Sequence, residues 1–321
     1  MKPKHIIESQ YLKEGLFGQI FSWCLEILPY LEKHNLKPQW RILSRNYGTS
    51  PAYNIFPDIL RLNYKPEMYI GESKVIKLEQ LKFTIGHPVY NYHYDFTLAN
   101  YLFNKYFQLP GEVIDTVEKF LSPYAKKRIL GLHYRGHDKV FDTSETNPVT
   151  DELLLQAARD FLEQKGAVDL VFLASDEESF IDKATKYLPV PTISFTHQRV
   201  ANKSLRSLLG INNRKPFHGH KKKYNTQIGR EAIIDSLLLS RCCCLLKCQS
   251  ALSGWSKVWN PNLEVYRIAA FKHDWFTEAF IPLYKTKNDE LMSKLLTVQE
   301  GEFSMKNKLT ISLPVSTYLQ G

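Results

Sequence analysis

The residues best suited to chemistry stand in one stretch, Gly131-Leu132-His133-Tyr134-Arg135-Gly136-His137-Asp138-Lys139, where two cations and a carboxylate follow an apolar run. That run, Arg128-Ile129-Leu130-Gly131-Leu132, is entered from Lys126-Lys127. An unbroken apolar segment that ends abruptly in charge describes an inner strand of a parallel sheet. Open α/β sheets take their ligands at the carboxyl ends of their strands. A guanidinium held there can grip a diphosphate through two parallel hydrogen bonds, which suits a nucleotide-sugar leaving group. The simpler alternative is a surface loop in which Arg135 pairs with Asp138 or Asp142.

Three further places carry polar groups beside apolar runs. Ser175-Asp176-Glu177-Glu178 follows the strand Leu170-Val171-Phe172-Leu173-Ala174, and Ser175 with Glu178 has the spacing of a capping box. Gln227, Glu231 and Asp235 recur every four residues on a helix expected at 228–240, the ordinary pattern of a solvated face. Gln249-Ser250-Ala251-Leu252-Ser253 opens a helix after a strand expected at 242–247. Amides at such a start, with a hydroxyl and a lysine nearby, make a phosphate cradle, while Ser250 or Ser253 capping the helix explains the same residues.

Nearer the start, Gly15-Leu16-Phe17-Gly18-Gln19 lacks the spacing of a dinucleotide fingerprint or a P-loop. Gly18 would let backbone approach a sugar, or simply begin a helix. Tyr47, Tyr53, Tyr92, His93 and Tyr94 are available to stack on acceptor sugar rings, although aromatics more often pack in cores.

The elements that must position these groups follow from periodicity. Phe17, Ile20, Phe21, Cys24, Leu25, Leu28 and Leu31 give segment 15–34 a helical apolar face. Strands are expected at 42–44 and 68–70, and helices through Phe96–Phe107 and Val113–Leu121. From residue 126 strand and helix alternate, with strands at 128–134, 167–174, 191–195, 242–247 and 263–267 and helices at 149–164, 176–187, 228–240 and 250–258. That alternation is the mark of a doubly wound fold. The expected architecture is α/β, with an N-terminal domain over 1–125 on the acceptor side, a Rossmann-like nucleotide-binding domain over 126–285, and a tail over 286–321.

A chain of 321 residues accommodates two such domains. Hydrophobic residues at 44% and charged residues at 23% exclude a disordered class. A formal charge of +9 points to an anionic partner: a nucleotide sugar, an acidic membrane face or nucleic acid. The basic run Arg214–Lys223 adds to this, but no recognised nucleic-acid module accompanies it. Without an 18-residue apolar span or a signal core, the chain is read as cytoplasmic, with peripheral membrane contact compatible with its charge. Cys24, Cys242, Cys243, Cys244 and Cys248 include no CxxC pair, and adjacent cysteines on a strand face opposite ways. They are read as small buried hydrophobes in a reducing compartment, and no metal site is expected.

The pattern His133-x-Arg135-x-x-Asp138-Lys139 resembles the first signature of the fucosyltransferase superfamily that holds the rhizobial nodulation fucosyltransferase, the core α1,6-fucosyltransferase and the protein O-fucosyltransferases. Phe172–Ser179, and Asp235–Ser240 running on to Lys247-Cys248-Gln249-Ser250, match further motifs in the same order; the Gly18 loop matches more weakly. The resemblance implies a GT-B-like fold, two Rossmann-like domains facing a cleft, and metal-independent inverting transfer of fucose from GDP-fucose to a glycan hydroxyl. It further implies that Arg135 holds the diphosphate, that His133 lies near the purine, that Asp138 and Asp176 serve the donor site, and that Asp235 accepts from guanine. Two departures stand out. Ser250-Ala251 replaces a pair of serines, and Thr143 stands where relatives of the core enzyme place a glutamate base, which leaves Asp142, Glu145 and His137 as candidates. A degenerate member that binds nucleotide sugar without turnover is therefore the alternative.

Overall fold

The computed structural model describes residues 4–12, 15–44, 46–47, 53–66, 73–78, 96–136, 146–147, 149–165, 167–195, 226–248, 250–268 and 270–271. Within these, the chain runs β1 (Lys4–Leu12), a π-helical turn (Leu16–Phe21) continuing into α1 (Ser22–Lys33), β2 (Gln39–Ser44), β3 (Arg61–Leu62), β4 (Ser73–Lys77), α2 (Phe96–Tyr106), β5 (Phe107–Gln108) and α3 (Gly111–Leu121). The second half is β6 (Ile129–Tyr134), β7 (Thr146–Asn147), α4 (Asp151–Lys165), β8 (Leu170–Ser175), α5 (Glu178–Tyr187), β9 (Thr192–Ser194), α6 (Thr226–Ser240), β10 (Cys244–Lys247), α7 (Ala251–Trp259), β11 (Glu264–Arg267) and β12 (Ala270–Phe271).

Two parallel sheets organise these elements, as an α/β reading requires. The first has the order β2-β1-β4, and the second the order β11-β10-β6-β8-β9. Counted along the chain, the strands of the second sheet lie 3-2-1-4-5 across it, the doubly wound arrangement. The order reverses between β6 and β10, whose register sets Leu130 opposite Cys244 and His133 opposite Lys247.

The central strands β6, β8 and β10 are buried along their whole length because both sheet faces are covered. Alternate residues enter separate cores. Leu130, Leu132, Tyr134, Val171 and Leu173 pack with Leu154, Phe161 and Phe180 of α4 and α5. Ile129, Phe172 and Leu245 pack with Ile233 and Leu238 of α6 and Trp255 of α7. This second core continues through Phe21 and Phe103 to Ile7, Trp40 and Ile42 of the first sheet, so one apolar mass joins the two halves. Phe103 lies 5.2–5.9 Å from the rings of Phe21, Phe107 and Trp255, and Asn100 Nδ2 donates to the carbonyls of Val258 and Trp259 at 2.8 and 3.2 Å.

The strand β1 was not expected, and its chemistry explains why. Glu8 and Ser9 are buried in its middle, interrupting the apolar run that marks an inner strand, and Glu8 pairs with Arg41 of the neighbouring β2. Ion pairing and backbone pairing on both sides hold the strand where hydrophobicity does not. The strand expected at 68–70 and the segment 286–321 lie outside the described residues. None of the described helices is long and apolar enough to cross a membrane.

Candidate active site at the reversal of strand order

The chain leaves β6 at Tyr134 and β10 at Lys247, on the two sides of the strand reversal, the position at which open α/β sheets take their ligands. His133 and Lys247 are register partners there. Because strand residues alternate, both point to the face covered by α6 and α7. Both are buried, His133 at 4% and Lys247 at 0% exposure, and the Lys247 ammonium donates to the Ser250 carbonyl at 3.3 Å. Burial, then the charges of Lys247 and Arg135, hold the His133 imidazole well below its ordinary pKa. It is therefore neutral at physiological pH. Its Nδ1 is buried with no hydrogen-bond partner among the described residues.

Arg135 stands one residue beyond β6 and is fixed from three sides. Its backbone amide donates to the Cys248 sulfur at 2.9 Å, and its guanidinium donates to the Asp176 carboxylate at 3.0 Å. The other oxygen of Asp176 accepts from the Gly136 amide at 3.2 Å. The loops leaving β6, β8 and β10 are thus stitched together through Arg135. Its side chain keeps 18% exposure against 7% for Asp176, so the fork is anchored yet still meets solvent. Burial pushes the Cys248 thiol up to about 11, and the sulfur meets Arg135 as a neutral acceptor.

The N-terminal half borders the same place. Tyr47 is buried, and its hydroxyl accepts from the Leu16 amide at 2.9 Å. Burial raises its phenol to about 12, opposed by that bond and by the nearby charge of Arg135. Its ring also closes on Gly229 of α6, where an added Cβ would lie 3.1 Å from it. The π-helical turn carrying Gly18 is held on the other side by Trp255 of α7, whose indole donates to the Phe17 carbonyl at 3.2 Å. Within this turn Gln19 Oε1 is buried without a hydrogen-bond partner among the described residues.

His133, Arg135, Asp176 and Ser250 are thus brought to one end of the sheet, with Gly18 tied in through Tyr47 and Trp255. Asp235 is buried at 4% exposure on α6, almost two turns beyond Gly229, on the helix covering the face that His133 and Lys247 point to. Its burial corrects the expected solvated face, which persists only at the start of the helix, where Gln227 donates to Glu231 at 3.2 Å. Asp138, Asp142, Glu145, His137, Lys139 and Gln249 lie outside the described residues, as do Tyr92, His93 and Tyr94.

Other local expectations change for identifiable reasons. No capping box forms between Ser175 and Glu178: β8 runs on through Ser175, α5 starts only at Glu178, and the Ser175 hydroxyl accepts from the Glu177 amide at 3.0 Å. Ser250 precedes α7 but makes no side-chain capping bond, and Ser253 turns back to the Ser250 carbonyl at 3.3 Å. The capping reading therefore fails for Ser250, and its hydroxyl leaves the first amides of α7 uncapped. Tyr47 is a core residue and offers no acceptor platform, whereas Tyr53 is part-buried and its hydroxyl donates to Asp58. Lys247, read in sequence as a nearby lysine and as one member of a motif, is buried more completely than either reading implied. Its signal was a lysine ending an otherwise apolar strand, Cys244-Leu245-Leu246-Lys247. No group of three His, Cys, Asp or Glu among the described residues could hold a metal ion.

No protein-family model matches the chain, nor does any curated protein. In solved structures the chain is similar to the α1,6-fucosyltransferase NodZ soaked with GDP-fucose, with 16% identity, a TM-score of 0.47, and 83% of this chain and 95% of that chain covered. It is similar to fucosyltransferase NodZ from Bradyrhizobium at 16% identity and a TM-score of 0.47, covering 83% and 96%. It is similar to Arabidopsis thaliana FUT1 in complex with GDP at 12% identity and a TM-score of 0.45, covering 88% and 75%.

Proposed function

We propose that this chain is an inverting glycosyltransferase that moves fucose from GDP-fucose to a hydroxyl of a glycan acceptor, without a metal cofactor. The observation that carries the reading is Arg135, whose guanidinium is anchored by Asp176 and whose backbone amide is held by Cys248, where the strand order reverses. Breaking the bond from sugar to diphosphate leaves negative charge on the departing phosphate. Fixed cations in a largely dehydrated site stabilise that charge without reorganising during the step. Arg135 supplies the fork, the uncapped start of α7 beside Ser250 supplies amides, and neutral His133 offers a polar edge for the nucleotide. Asp235 accepts from the guanine N1 and N2 donors, a pair that a carboxylate matches and that uracil does not present. Either Asp142 or Glu145 removes the acceptor proton, and Asp138 shapes the donor loop between them and Arg135. The resemblance of His133-x-Arg135-x-x-Asp138-Lys139 to the fucosyltransferase signature supports the choice of sugar.

Calorimetry with GDP and UDP, followed by consumption of GDP-fucose in the presence of a chelator, tests the reading. GDP should bind at least about tenfold more tightly than UDP, a difference near 1.4 kcal/mol. Equal binding of both removes the guanine assignment. Tight GDP binding with no consumption of GDP-fucose by any glycan offered leaves a nucleotide-sugar-binding protein instead.

A further inference from the structure

The three consecutive cysteines at the opposite end of the second sheet, where the chain enters β10, are not equivalent, and their arrangement departs from the small buried hydrophobes expected from sequence. Cys242 is buried and its thiol donates to the Leu238 carbonyl at 3.4 Å, while Cys244 is buried at the start of β10. Cys243 is exposed. The chain enters β10 through a bend at Cys243, whose amide donates to the Ile129 carbonyl at 2.8 Å. The bend suspends the strand alternation and leaves the sulfurs of Cys243 and Cys244 at 3.9 Å. Arg128, which precedes β6, lies beside Cys243.

We infer that Cys243 and Cys244 form a peroxide-responsive thiol pair, with Cys243 as the attacking sulfur and Cys244 as the resolving one. The placement of the groups is that of a redox-sensitive cysteine: solvent access, an adjacent cation, and a second thiol within reach. A hydrogen bond from Cys244, assisted by Arg128, lowers the Cys243 thiol to about 6, while donating that bond raises Cys244. Of the two sulfurs, Cys243 is therefore the one that takes the thiolate form first. The Cys243 thiolate attacks one oxygen of a hydroperoxide; the S–O bond forms, the O–O bond breaks, and hydroxide or alkoxide leaves. Cys243 is now a sulfenic acid, oxidised by two electrons. Cys244 then attacks the Cys243 sulfur, giving up its proton; the S–S bond forms and the hydroxyl departs as water. Closing the sulfurs to about 2 Å makes an eight-membered ring across the Cys243–Cys244 peptide, whose Cα atoms stand closer than in an ordinary disulfide, so the peptide must turn along with both side chains, at a bend where Cys243 is not yet part of the strand. A thiol reductant returns the pair to its starting state.

The test uses the full chain, reduced and then exposed to hydrogen peroxide with and without dimedone, followed by peptide mass mapping. The wild type should lose two hydrogens across the Cys243–Cys244 segment, reversibly, and take up little dimedone. Cys244→Ser should accumulate the dimedone adduct on Cys243 several-fold above wild type, and Cys243→Ser should show neither product. Equal dimedone labelling of wild type and Cys244→Ser, or a disulfide that persists in Cys243→Ser, overturns the pair. Should Cys244→Ser fail to fold, alkylation of Cys243 by iodoacetamide decides. Arg128→Gln should slow it several-fold at pH 7, and an unchanged rate overturns the role of the cation. GDP binding is a separate readout, so failure here leaves the transferase reading standing, and the reverse.

Discussion

Asp176 uses both of its oxygens to set Arg135: one receives the guanidinium at 3.0 Å, and the other holds the Gly136 amide at 3.2 Å, fixing the backbone that carries the arginine. A single carboxylate just beyond β8 thereby determines both the position and the direction of a cation just beyond β6.

Removing the guanidinium should cost more in binding than in folding. Arg135→Ala is expected to weaken GDP binding about ten- to a hundredfold, the worth of one or two charge-assisted hydrogen bonds. Arg135→Lys should recover only part of this, because an ammonium cannot form the planar fork. Asp176→Ala leaves Arg135 largely buried without its counter-charge and should lower stability by about 2–3 kcal/mol as well as weakening GDP binding. Urea unfolding alongside calorimetry separates the two effects. Unchanged GDP affinity in both variants would remove Arg135 from the donor site.

Gly136 offers a second handle on the same loop. A Cβ there would run into the Glu177 carboxylate and lie 2.7 Å from the Tyr134 ring, with no room on either side. Gly136→Ala should cost about 1–3 kcal/mol through displacement of these neighbours and misplace Arg135 enough to weaken GDP binding. If Glu177 is the obstacle, Gly136→Ala combined with Glu177→Ala should be less damaging than the sum of the two changes. Additivity in the double-mutant cycle would refute the close approach.

The second half of the fold was legible because its strands are continuous apolar runs covered on both faces, and its helices carry ordinary apolar stripes. Expected and observed strands differ mainly in where they begin: 167–174 became Leu170–Ser175, and 242–247 became Cys244–Lys247. The site was legible where charge follows such a strand, as at Arg135 and Asp176. It was not legible where burial inverts the meaning of a polar residue. Asp235 sits on a spacing that usually means solvent, Glu8 and Ser9 hide an inner strand, and Lys247 is fully buried, which its charge does not announce. Each of these depends on what packs over the residue, which local periodicity does not encode.

The shared aromatic core predicts how the halves unfold. Phe103 of α2 meets Trp255 at 5.5 Å and Trp259 at 5.1 Å, both on α7, the helix whose start faces the site. Phe103→Ala should cost about 3–5 kcal/mol, and both halves should lose structure in one transition. Coincident denaturation curves from tryptophan fluorescence and far-ultraviolet circular dichroism check this. Two resolved transitions in the wild type would show that the core does not bind the halves into one cooperative unit.

His133 supplies a pH signature that can be separated from all other titrations. Burial and the charges of Lys247 and Arg135 depress its folded-state pKa well below the ordinary 6.5, so the unfolded chain takes up a proton at a pH where the native chain does not. Stability linked to this group is therefore complete above pH 6.5 and falls as pH drops below it, by up to about 1.4 kcal/mol per unit until the native imidazole itself protonates. Urea titrations of wild type and His133→Gln at pH 7.5, 6 and 5 should give curves whose difference shrinks with acid, since glutamine carries no such penalty. A diphosphate held by Arg135 offsets one of the cations that depress the His133 imidazole and raises its pKa, so GDP should flatten the wild-type dependence and leave that of His133→Gln little changed. A difference between the two proteins that is constant across pH, with or without GDP, would show that His133 is not held neutral by its surroundings.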